Sequence, residues 1–147
     1  MTEQKIIGKG TWIDKLAHEV IEREKNLGRG IDGVIRVESG LGASGIPHIG
    51  SLGDAVRAYG IKLALENFGY KSELIAYSDD LDGLRKIPEG LQVEEENIGK
   101  RVSAIDDPYG KCHDSYGSHM SSLLLDGLDK LGIKYVHKTA HDTYKNG

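Results

Sequence analysis

The sequence is poor in the residues that characterise secreted, fibrous and membrane-bound proteins. It contains a single cysteine, Cys112, and three prolines among 147 residues. One cysteine excludes an internal disulfide framework and favours a reducing compartment. Apolar runs are only a few residues long, far below the roughly 20 residues that span a membrane, and residues 1–7 lack the apolar core of a signal peptide. We therefore expect a cytoplasmic protein with no membrane partner.

Neither sign of charge dominates the sequence. Lys and Arg number 19 against 23 Asp and Glu, which gives a formal net charge of −4. Nucleic-acid-binding proteins usually carry a basic patch, so an RNA partner is expected to dock mainly on a surface outside this chain. Hydrophobic residues at 38% and charged residues at 29% are typical of a globular domain rather than a disordered chain.

Glycine, in contrast, is abundant. The chain has 20 glycines, about twice the average share, without the Gly-X-Y repeat of collagen. Because glycine has no Cβ, it suits turns and places where the backbone approaches another group closely. The glycines are therefore expected at such positions.

The first half of the chain predicts one βαβ unit. Apolar residues at helical spacing predict an amphipathic helix over residues 11–27, and β-branched alternation predicts a strand over 31–38. A glycine-rich loop over 39–47 leads to a second helix, with the proline in its first turn and a stop at Gly69. A strand follows at 72–78. This order predicts an α/β fold, a parallel sheet with a right-handed crossover.

Residues 83–119 interrupt the periodicity. Pro88, the acidic run 94–96 and a turn region at 106–110 break any long pattern. We predict that this segment is an insertion before the third strand. Helical spacing returns over 120–131, and residues 133–137 have the pattern of that third strand.

The glycine loop has one interpretation as a dinucleotide site. Gly40-x-Gly42-x-x-Gly45 matches the fingerprint of an NAD- or FAD-binding oxidoreductase domain. In that motif the helix starts within the glycines, and an acidic residue follows about 20 positions later. Here Pro47 delays the helix, and Asp79 lies much further along the chain.

A second interpretation depends on His48-Ile49-Gly50-Ser51, at the predicted start of the second helix. Free N–H groups and the helix dipole favour a phosphate there. A histidine can stabilise charge on phosphate oxygens, and Gly50 lets a flat base approach the backbone. This pattern suits ATP that reacts at its α-phosphate. The third interpretation is structural: the glycines turn the chain and His48 caps the helix.

At this point the sequence resembles the class I aminoacyl-tRNA synthetases, whose first signature is His-Ile-Gly-His. More specifically, residues 36–51, 76–88 and 107–113 resemble the archaeal-type class I lysyl-tRNA synthetases. Ser51 stands in place of the second histidine, as is common in that subfamily. The resemblance implies a Rossmann-type (HUP-like) catalytic domain that uses ATP with Mg²⁺ to form lysyl-adenylate and then transfers lysine to tRNA(Lys).

The resemblance also implies roles for particular residues. His48 and Ser51 are expected to act in catalysis, with His48 stabilising charge on the phosphates. The implied ATP-binding residues are Ser44, His48, Gly50 and Ser51.

The implied amino-acid pocket involves the ends of the first two strands. Gly40 and Gly42 match positions that line this pocket, and Gly42 stands where some members carry threonine. Asp79 and Asp80 follow the second predicted strand, at the sheet edge where parallel folds bind ligands. A carboxylate there can hold the cationic lysine side chain or orient a ribose. The structural alternative is a turn that caps the next helix.

Asp107, Cys112, His113 and His119 form a candidate metal-ligand set. Carboxylate, thiolate and imidazole suit tetrahedral zinc, although the spacing is not that of a standard zinc finger. The resemblance adds that archaeal members bind zinc near such a Cys-His pair. Zn²⁺ is therefore a second expected cofactor.

The second class I signature, Lys-Met-Ser-Lys-Ser, is absent from the sequence. We expect residues 1–30 to be a helical segment packed on the core and residues 31–147 to be the N-terminal half of the catalytic domain. The rest of that domain and the anticodon-binding region would lie outside this chain. The sequence thus predicts an N-terminal fragment, inactive alone in full aminoacylation. A non-catalytic paralogue that kept a nucleotide pocket is the remaining alternative.

Overall fold

The computed structural model describes residues 6–29 and 33–146. Helices and strands alternate along most of the chain. In chain order the elements are α1 (Trp12–Asn26), β1 (Ile35–Gly42), α2 (Ile49–Asn67), β2 (Ser72–Asp79), α3 (Tyr116–Lys130), β3 (Val136–Thr139) and α4 (Ala140–Lys145). Two short 3₁₀ turns, Glu95–Asn97 and Val102–Ala104, lie between β2 and α3.

The described strands form one parallel sheet in the order β1-β2-β3. Ile35 pairs with Ser72 at one end of the β1–β2 ladder, and Gly42 pairs with Asp79 at the other. Strand β3 pairs with β2 on its other side. The predicted α/β fold with a parallel sheet and flanking helices is confirmed, and the open sheet is consistent with a Rossmann-like fold.

Helix α1 begins as its sequence predicts. The Thr11 side chain caps the first turn, and its hydroxyl donates to Asp14 Oδ2 at 2.7 Å. The Thr11 N–H also donates to Asp14 Oδ2, at 3.1 Å, which completes a capping box. On the buried face of the helix, Ala17 and Ile21 pack in a cluster that includes Leu65 of α2. The amphipathic pattern therefore joins α1 to α2.

Helices α2 and α3 cover the same face of the sheet. Leu74 of β2 packs with Ala55 and Ala58 of α2 and with Leu128 of α3. Next to them, Leu41 of β1 lies against α3 in a second cluster. Alternate residues of a strand point to opposite faces. In β1 the odd-numbered residues are buried, Val37 only partly, and the even-numbered ones are exposed.

The predicted loop at 39–47 is wrong in its first part. Ser39, Gly40, Leu41 and Gly42 belong to β1, since the ladder with β2 continues as far as Asp79. The buried side chains of Ser39 and Leu41 alternate with glycine, a strand pattern that the glycine count obscured. The strand begins at Ile35, later than predicted. Residues 31 and 32 of the predicted strand lie outside the described residues.

The second helix also begins later than predicted. Helix α2 starts at Ile49, with His48 as its N-cap, so Pro47 precedes the helix instead of lying in its first turn. The helix ends at Asn67, and Gly69 follows with a φ of 91°. This left-handed conformation suits glycine at a helix end.

The predicted insertion over 83–119 extends too far. Helix α3 begins at Tyr116, inside that range. The segment also contributes to the core, because Leu84, Val102, Ile105 and Tyr116 form one buried cluster with Ala43. The segment lacks a regular apolar period because it packs on the core with residues in loops and short turns. It is not a separate insertion outside the core.

The end of the chain differs as well. Strand β3 begins at Val136 rather than at residue 133, while Ile133 is buried against α2 and α3. Helix α4 was not predicted; Thr139 caps it by accepting a hydrogen bond from the Asp142 N–H at 3.1 Å. Among the described helices, none combines the length and the apolar composition needed to cross a membrane.

Candidate functional site

The carboxyl ends of β1 and β2 form one edge of the candidate site. Gly42 and Asp79 are paired at the last position of the ladder. From Gly42 the chain passes through residues 43–47 to His48, the N-cap of α2. A loop between a parallel strand and a helix N-terminus is the usual ligand-binding position in such sheets.

His48 caps α2 with its side chain. Its Nδ1 accepts a hydrogen bond from the Gly50 N–H at 3.0 Å. An accepting ring nitrogen carries no proton, so in the neutral ring the proton is on Nε2. The capping interaction expected from the structural interpretation therefore exists, and it leaves an N–H donor on the other side of the ring.

The absence of a side chain at Gly50 leaves room for the His48 ring. A Cβ at position 50 would lie 2.9 Å from His48 Cε1 and 3.0 Å from Nδ1, closer than atoms pack. The sequence suggested that this glycine admits a flat base. In the structure the flat ring beside it is that of His48.

Ser51 and Ser44 lie on either side of this cap. The His48 N–H points towards Ser51 Oγ at 3.5 Å, a long contact that completes the cap. The Ser44 carbonyl accepts a hydrogen bond from the Tyr116 hydroxyl at 3.0 Å. Sequence reasoning missed Tyr116, which is separated from Ser44 by 72 positions, and no local motif signals such a contact.

A cavity of about 660 Å³ opens beside the cap. Ser44, Gly45, Ile46 and His48 line one side, and residues 85–89 line the other. This volume lies within the range of small-molecule and cofactor sites, about 300–1,000 Å³. Arg85 and Lys86 bring two cationic side chains to this cavity and Glu89 brings one carboxylate, so positive charge is in excess, which suits an anion.

The two aspartates of the predicted amino-acid pocket have different environments. Asp79 is exposed at the end of β2. Asp80 is only 7% exposed, and its Oδ1 accepts a hydrogen bond from the His141 N–H in α4 at 2.8 Å. Asp80 thus ties β2 to the first turn of α4, whereas Asp79 presents its carboxylate to solvent beside Gly42.

The structure brings the four predicted metal ligands together. Asp107 Oδ2 lies 3.2 Å from Cys112 Sγ, 3.7 Å from His113 Nδ1 and 3.2 Å from His119 Nδ1. Cys112 Sγ lies 3.2 Å from His113 Nδ1 and 3.3 Å from His119 Nδ1. The two ring nitrogens are 3.1 Å apart. We refer to these four residues as the metal-ligand cluster.

These six distances fit a tetrahedron. With bonds of about 2.0–2.3 Å to zinc, the donor atoms of a tetrahedral site are about 3.3–3.8 Å apart. The observed distances of 3.1–3.7 Å are close to those edges. The spacing of the cluster therefore suits one metal ion that prefers tetrahedral coordination, as zinc does. Its donor set of carboxylate, thiolate and two imidazoles also suits zinc.

Local backbone geometry assembles the cluster. Asp107 Oδ1 accepts from the Tyr109 N–H and Oδ2 accepts from the His113 N–H, each at 2.9 Å. Lys111, in the same turn, has a left-handed φ of 64°, which turns the chain so that Cys112 returns to Asp107. The Tyr109 ring stacks on the His119 ring, with the centroids 4.2 Å apart, and so covers one side of the cluster.

The same contacts change the acidity of two ligands. Burial opposes ionisation of Asp107, but the hydrogen bonds from Tyr109, Cys112, His113 and His119 outweigh it and lower the pKa of its carboxyl. The hydrogen bond to Asp107, helped by burial, raises the pKa of the Cys112 thiol. Asp107 is therefore a carboxylate near neutral pH, as a metal ligand must be.

Known proteins resemble this chain along most of its length. Residues 10–147 match the family described as tRNA synthetases class I (K). A lysine–tRNA ligase of Cenarchaeum symbiosum (strain A) is 68% identical over 145 residues, which cover 98% of this chain and 27% of that protein. A lysine–tRNA ligase of Rickettsia bellii (strain OSU 85-389) is 39% identical over 119 residues, which cover 78% of this chain and 23% of that protein.

These relatives are several times longer than the chain, which spans 27% of the Cenarchaeum protein. The family match nevertheless includes every described strand and helix. On this evidence, the chain belongs to the family of class I tRNA synthetases (K).

Proposed function

We propose that this chain is the ATP-facing half of the catalytic domain of a lysine–tRNA ligase. The full-length protein would use ATP, with Mg²⁺, to activate lysine as lysyl-adenylate and then transfer lysine to tRNA(Lys). The observation that carries the proposal is the His48 cap of α2 at the carboxyl end of β1, in a chain of this family.

The ATP phosphates are proposed to lie at the start of α2. The Nε2–H of His48 would donate to a phosphate oxygen, since Nδ1 is held by the Gly50 N–H. N–H groups of the first helical turn that have no partner within the helix add positive potential there. A donor fixed before substrate binds stabilises the charge that develops on the phosphates during adenylate formation. Ser44 and Ser51, next to His48, would contact the nucleotide.

The lysine is proposed to lie at the ends of β1 and β2. Gly40 and Gly42 are exposed and carry no side chain, so a ligand can approach the strand backbone closely. Asp79, paired with Gly42, would accept a charge-assisted hydrogen bond from an ammonium group of lysine. Asp80 would support this pocket from behind, because its carboxylate is already bonded to α4.

The metal-ligand cluster is proposed to hold Zn²⁺. All four donor atoms lie within 4.8 Å of one another, and the set has no open coordination position for a substrate. A bound zinc ion would supply structural stability at this position. Cys112 must be reduced to ligate zinc as a thiolate, which favours a reducing compartment, so the cytoplasm remains the proposed location.

We also propose the domain division. Residues 1–30 would be an N-terminal helical segment, supported by the packing of α1 on α2. Residues 31–147 would be the N-terminal half of the catalytic domain. Contacts with tRNA(Lys) would come mainly from other parts of a full-length protein, since this chain has a net charge of −4.

ATP–pyrophosphate exchange in the full-length gene product tests the proposal. Exchange that depends on lysine and on no other amino acid is the expected result. His48→Ala should reduce the rate from several-fold to about a thousandfold, whereas His18→Gln, in α1, should leave it unchanged. Exchange with another amino acid, or none at all, would refute a lysine–tRNA ligase. Binding of NADH but not ATP would favour the oxidoreductase instead.

A further inference from the structure

We propose that Tyr116 is a positioning residue that couples metal binding at the cluster to the nucleotide loop, defined as residues 43–48. The inference rests on the proposed ATP and zinc sites and goes beyond them, because it makes the two sites energetically dependent on each other. Three observations support it. Tyr116 forms one hydrogen bond to the nucleotide loop and another to the metal-binding segment, defined as residues 105–113. A single core cluster contains residues of both the loop and that segment.

The first contact joins Tyr116 to the nucleotide loop. The Tyr116 side chain has no exposed surface, and its hydroxyl donates to the Ser44 carbonyl at 3.0 Å. Ser44 lines the same cavity as His48. Tyr116 therefore fixes the backbone of the loop at a point between β1 and the His48 cap.

The second contact joins Tyr116 to the metal-binding segment. The Tyr116 N–H donates to the Ile105 carbonyl at 2.8 Å. This bond closes the base of the segment that carries Asp107, Cys112 and His113. The fourth ligand, His119, lies one turn further along α3. A metal ion held by all four residues would thus fix the position of Tyr116 from both sides.

The third contact is a shared core. Ala43, the first residue of the nucleotide loop, packs in one buried cluster with Ile105, Tyr116 and Met120. A shift of the first turn of α3 would therefore change the packing under the loop. The two sites are connected by close-packed side chains, which move together rather than independently.

The metal supplies the energy for this coupling. Without a metal, the Cys112 thiol and the His119 ring are held to Asp107 only by hydrogen bonds; a bound cation would replace their bridging protons with metal–ligand bonds to all four residues. Zinc binding would therefore stabilise the observed position of α3 and, through the Tyr116 hydroxyl, the observed position of Ser44. By linkage, zinc would tighten ATP binding, and ATP would tighten zinc binding by the same factor.

The expected change in ATP affinity can be estimated from the Tyr116–Ser44 hydrogen bond. A net hydrogen bond of about 0.5–1.5 kcal/mol corresponds to a factor of about 2–12 in affinity. We therefore expect zinc to increase the ATP affinity of the wild-type protein about fivefold. Zinc should also slow amide hydrogen exchange in the nucleotide loop, which reports local opening.

Tyr116→Phe is the decisive variant, because it keeps the ring and removes only the hydroxyl. Zinc stoichiometry, hydrogen exchange of residues 43–50 and ATP affinity are measured with and without zinc. The variant should bind zinc with wild-type stoichiometry, while zinc no longer slows exchange in the loop or raises ATP affinity. Tyr135→Phe is the matched control, since its hydroxyl donates to Asp129 away from the loop; it should keep the full zinc effect.

Several results would overturn the inference. Zinc that binds the wild-type protein without slowing exchange in the loop would refute the coupling, and equal slowing in Tyr116→Phe would refute the role of Tyr116. Failure of the wild-type protein to bind zinc would remove the coupling together with the zinc proposal. Failure to bind ATP would count against the proposed function, while the exchange measurement would still decide the role of Tyr116. If Tyr116→Phe does not fold, the reciprocal effect of ATP on zinc affinity decides the coupling in the wild-type protein.

Discussion

The imidazole of His48 occupies the space that any side chain at position 50 would need. A Cβ added to Gly50 would approach His48 Cε1 to 2.9 Å and Nδ1 to 3.0 Å. The absence of a side chain at Gly50 thus allows the ring to reach the Gly50 N–H and form the cap at 3.0 Å. One glycine therefore sets the orientation of the proposed phosphate-binding histidine.

We predict that Gly50→Ala displaces the His48 ring and weakens ATP binding. The added methyl group cannot coexist with the observed ring position, so Nδ1 loses its hydrogen bond and the Nε2–H donor loses its fixed direction. Nitrogen chemical shifts of the His48 ring should show the loss of the single tautomer. Binding calorimetry should show reduced ATP affinity, by about two- to tenfold.

Gly53→Ala provides the matched control on the same helix. A Cβ at position 53 meets no atom within 4 Å, and replacing glycine by alanine inside a helix typically adds about 0.5–1 kcal/mol of stability. ATP affinity should therefore be unchanged, with slightly higher stability. Equal ATP affinity in Gly50→Ala and wild type would disprove the orienting role of Gly50.

Zinc binding should depend on Cys112. The wild-type protein is expected to bind one zinc ion per chain, because the metal-ligand cluster has four donors at tetrahedral spacing. Cys112→Ser replaces a soft thiolate with a hydroxyl and should abolish stoichiometric binding at micromolar metal, measured by elemental analysis after dialysis. His18→Gln should retain one zinc. Unchanged stoichiometry in Cys112→Ser would exclude Cys112 from the ligands.

Substitutions of Asp79 and Asp82 should differ in their effect on the KM for lysine. In the full-length gene product, Asp79→Asn should raise the KM for lysine about tenfold to about a hundredfold, because a hydrogen bond between charged groups is lost. Asp82, in the exposed turn after β2, lies outside the proposed pocket, so Asp82→Asn should leave this KM unchanged. Steady-state exchange kinetics provide the comparison. An equal KM for lysine in Asp79→Asn and wild type would remove Asp79 from the pocket.

Tyr135 should titrate unusually late. Burial, the hydrogen bond to Asp129 and the nearby negative charge raise the pKa of Tyr135 to about 12. Because the unfolded value is about 10, the native state favours the neutral phenol. The stability that this provides is complete below about pH 10 and is lost as the pH rises to about 12.

A carbon-labelled tyrosine NMR titration measures this pKa directly. Asp129→Asn removes the carboxylate that accepts from the Tyr135 hydroxyl, so the pKa should fall towards the ordinary tyrosine value. Urea unfolding across the same pH range should show a steeper loss of stability in the wild type than in Tyr135→Phe. Titration of wild-type Tyr135 near pH 10 would contradict the prediction.

Sequence patterns predicted the elements whose packing is local. Ala17 and Ile21 lie on one face of α1 at helical spacing. The run from Ser72 to Asp79 forms a strand because its central apolar residues are buried in the sheet. The loop predicted from composition at Gly40 and Gly42 was wrong, because pairing with β2 overrides the preference of glycine for turns.

The candidate site was predictable only in part, for a related reason. The metal-ligand cluster could be proposed because its members lie within thirteen positions and share one chemistry. The Tyr116–Ser44 hydrogen bond could not, since it joins residues 72 positions apart. Likewise, no sequence pattern separated Asp79 from Asp80, whose different exposure depends on the position of α4.

On β1, sequence constraint that comes from packing can be separated from constraint that comes from a molecule approaching the sheet. A Cβ at Gly40 or Gly42 would meet no atom within 4 Å, so the fold itself tolerates larger residues at both positions. At Leu41 and Ala76, by contrast, close packing limits what can be substituted. If glycine persists at positions 40 and 42 across distant relatives, the selection that retains it comes from whatever approaches this edge of the sheet.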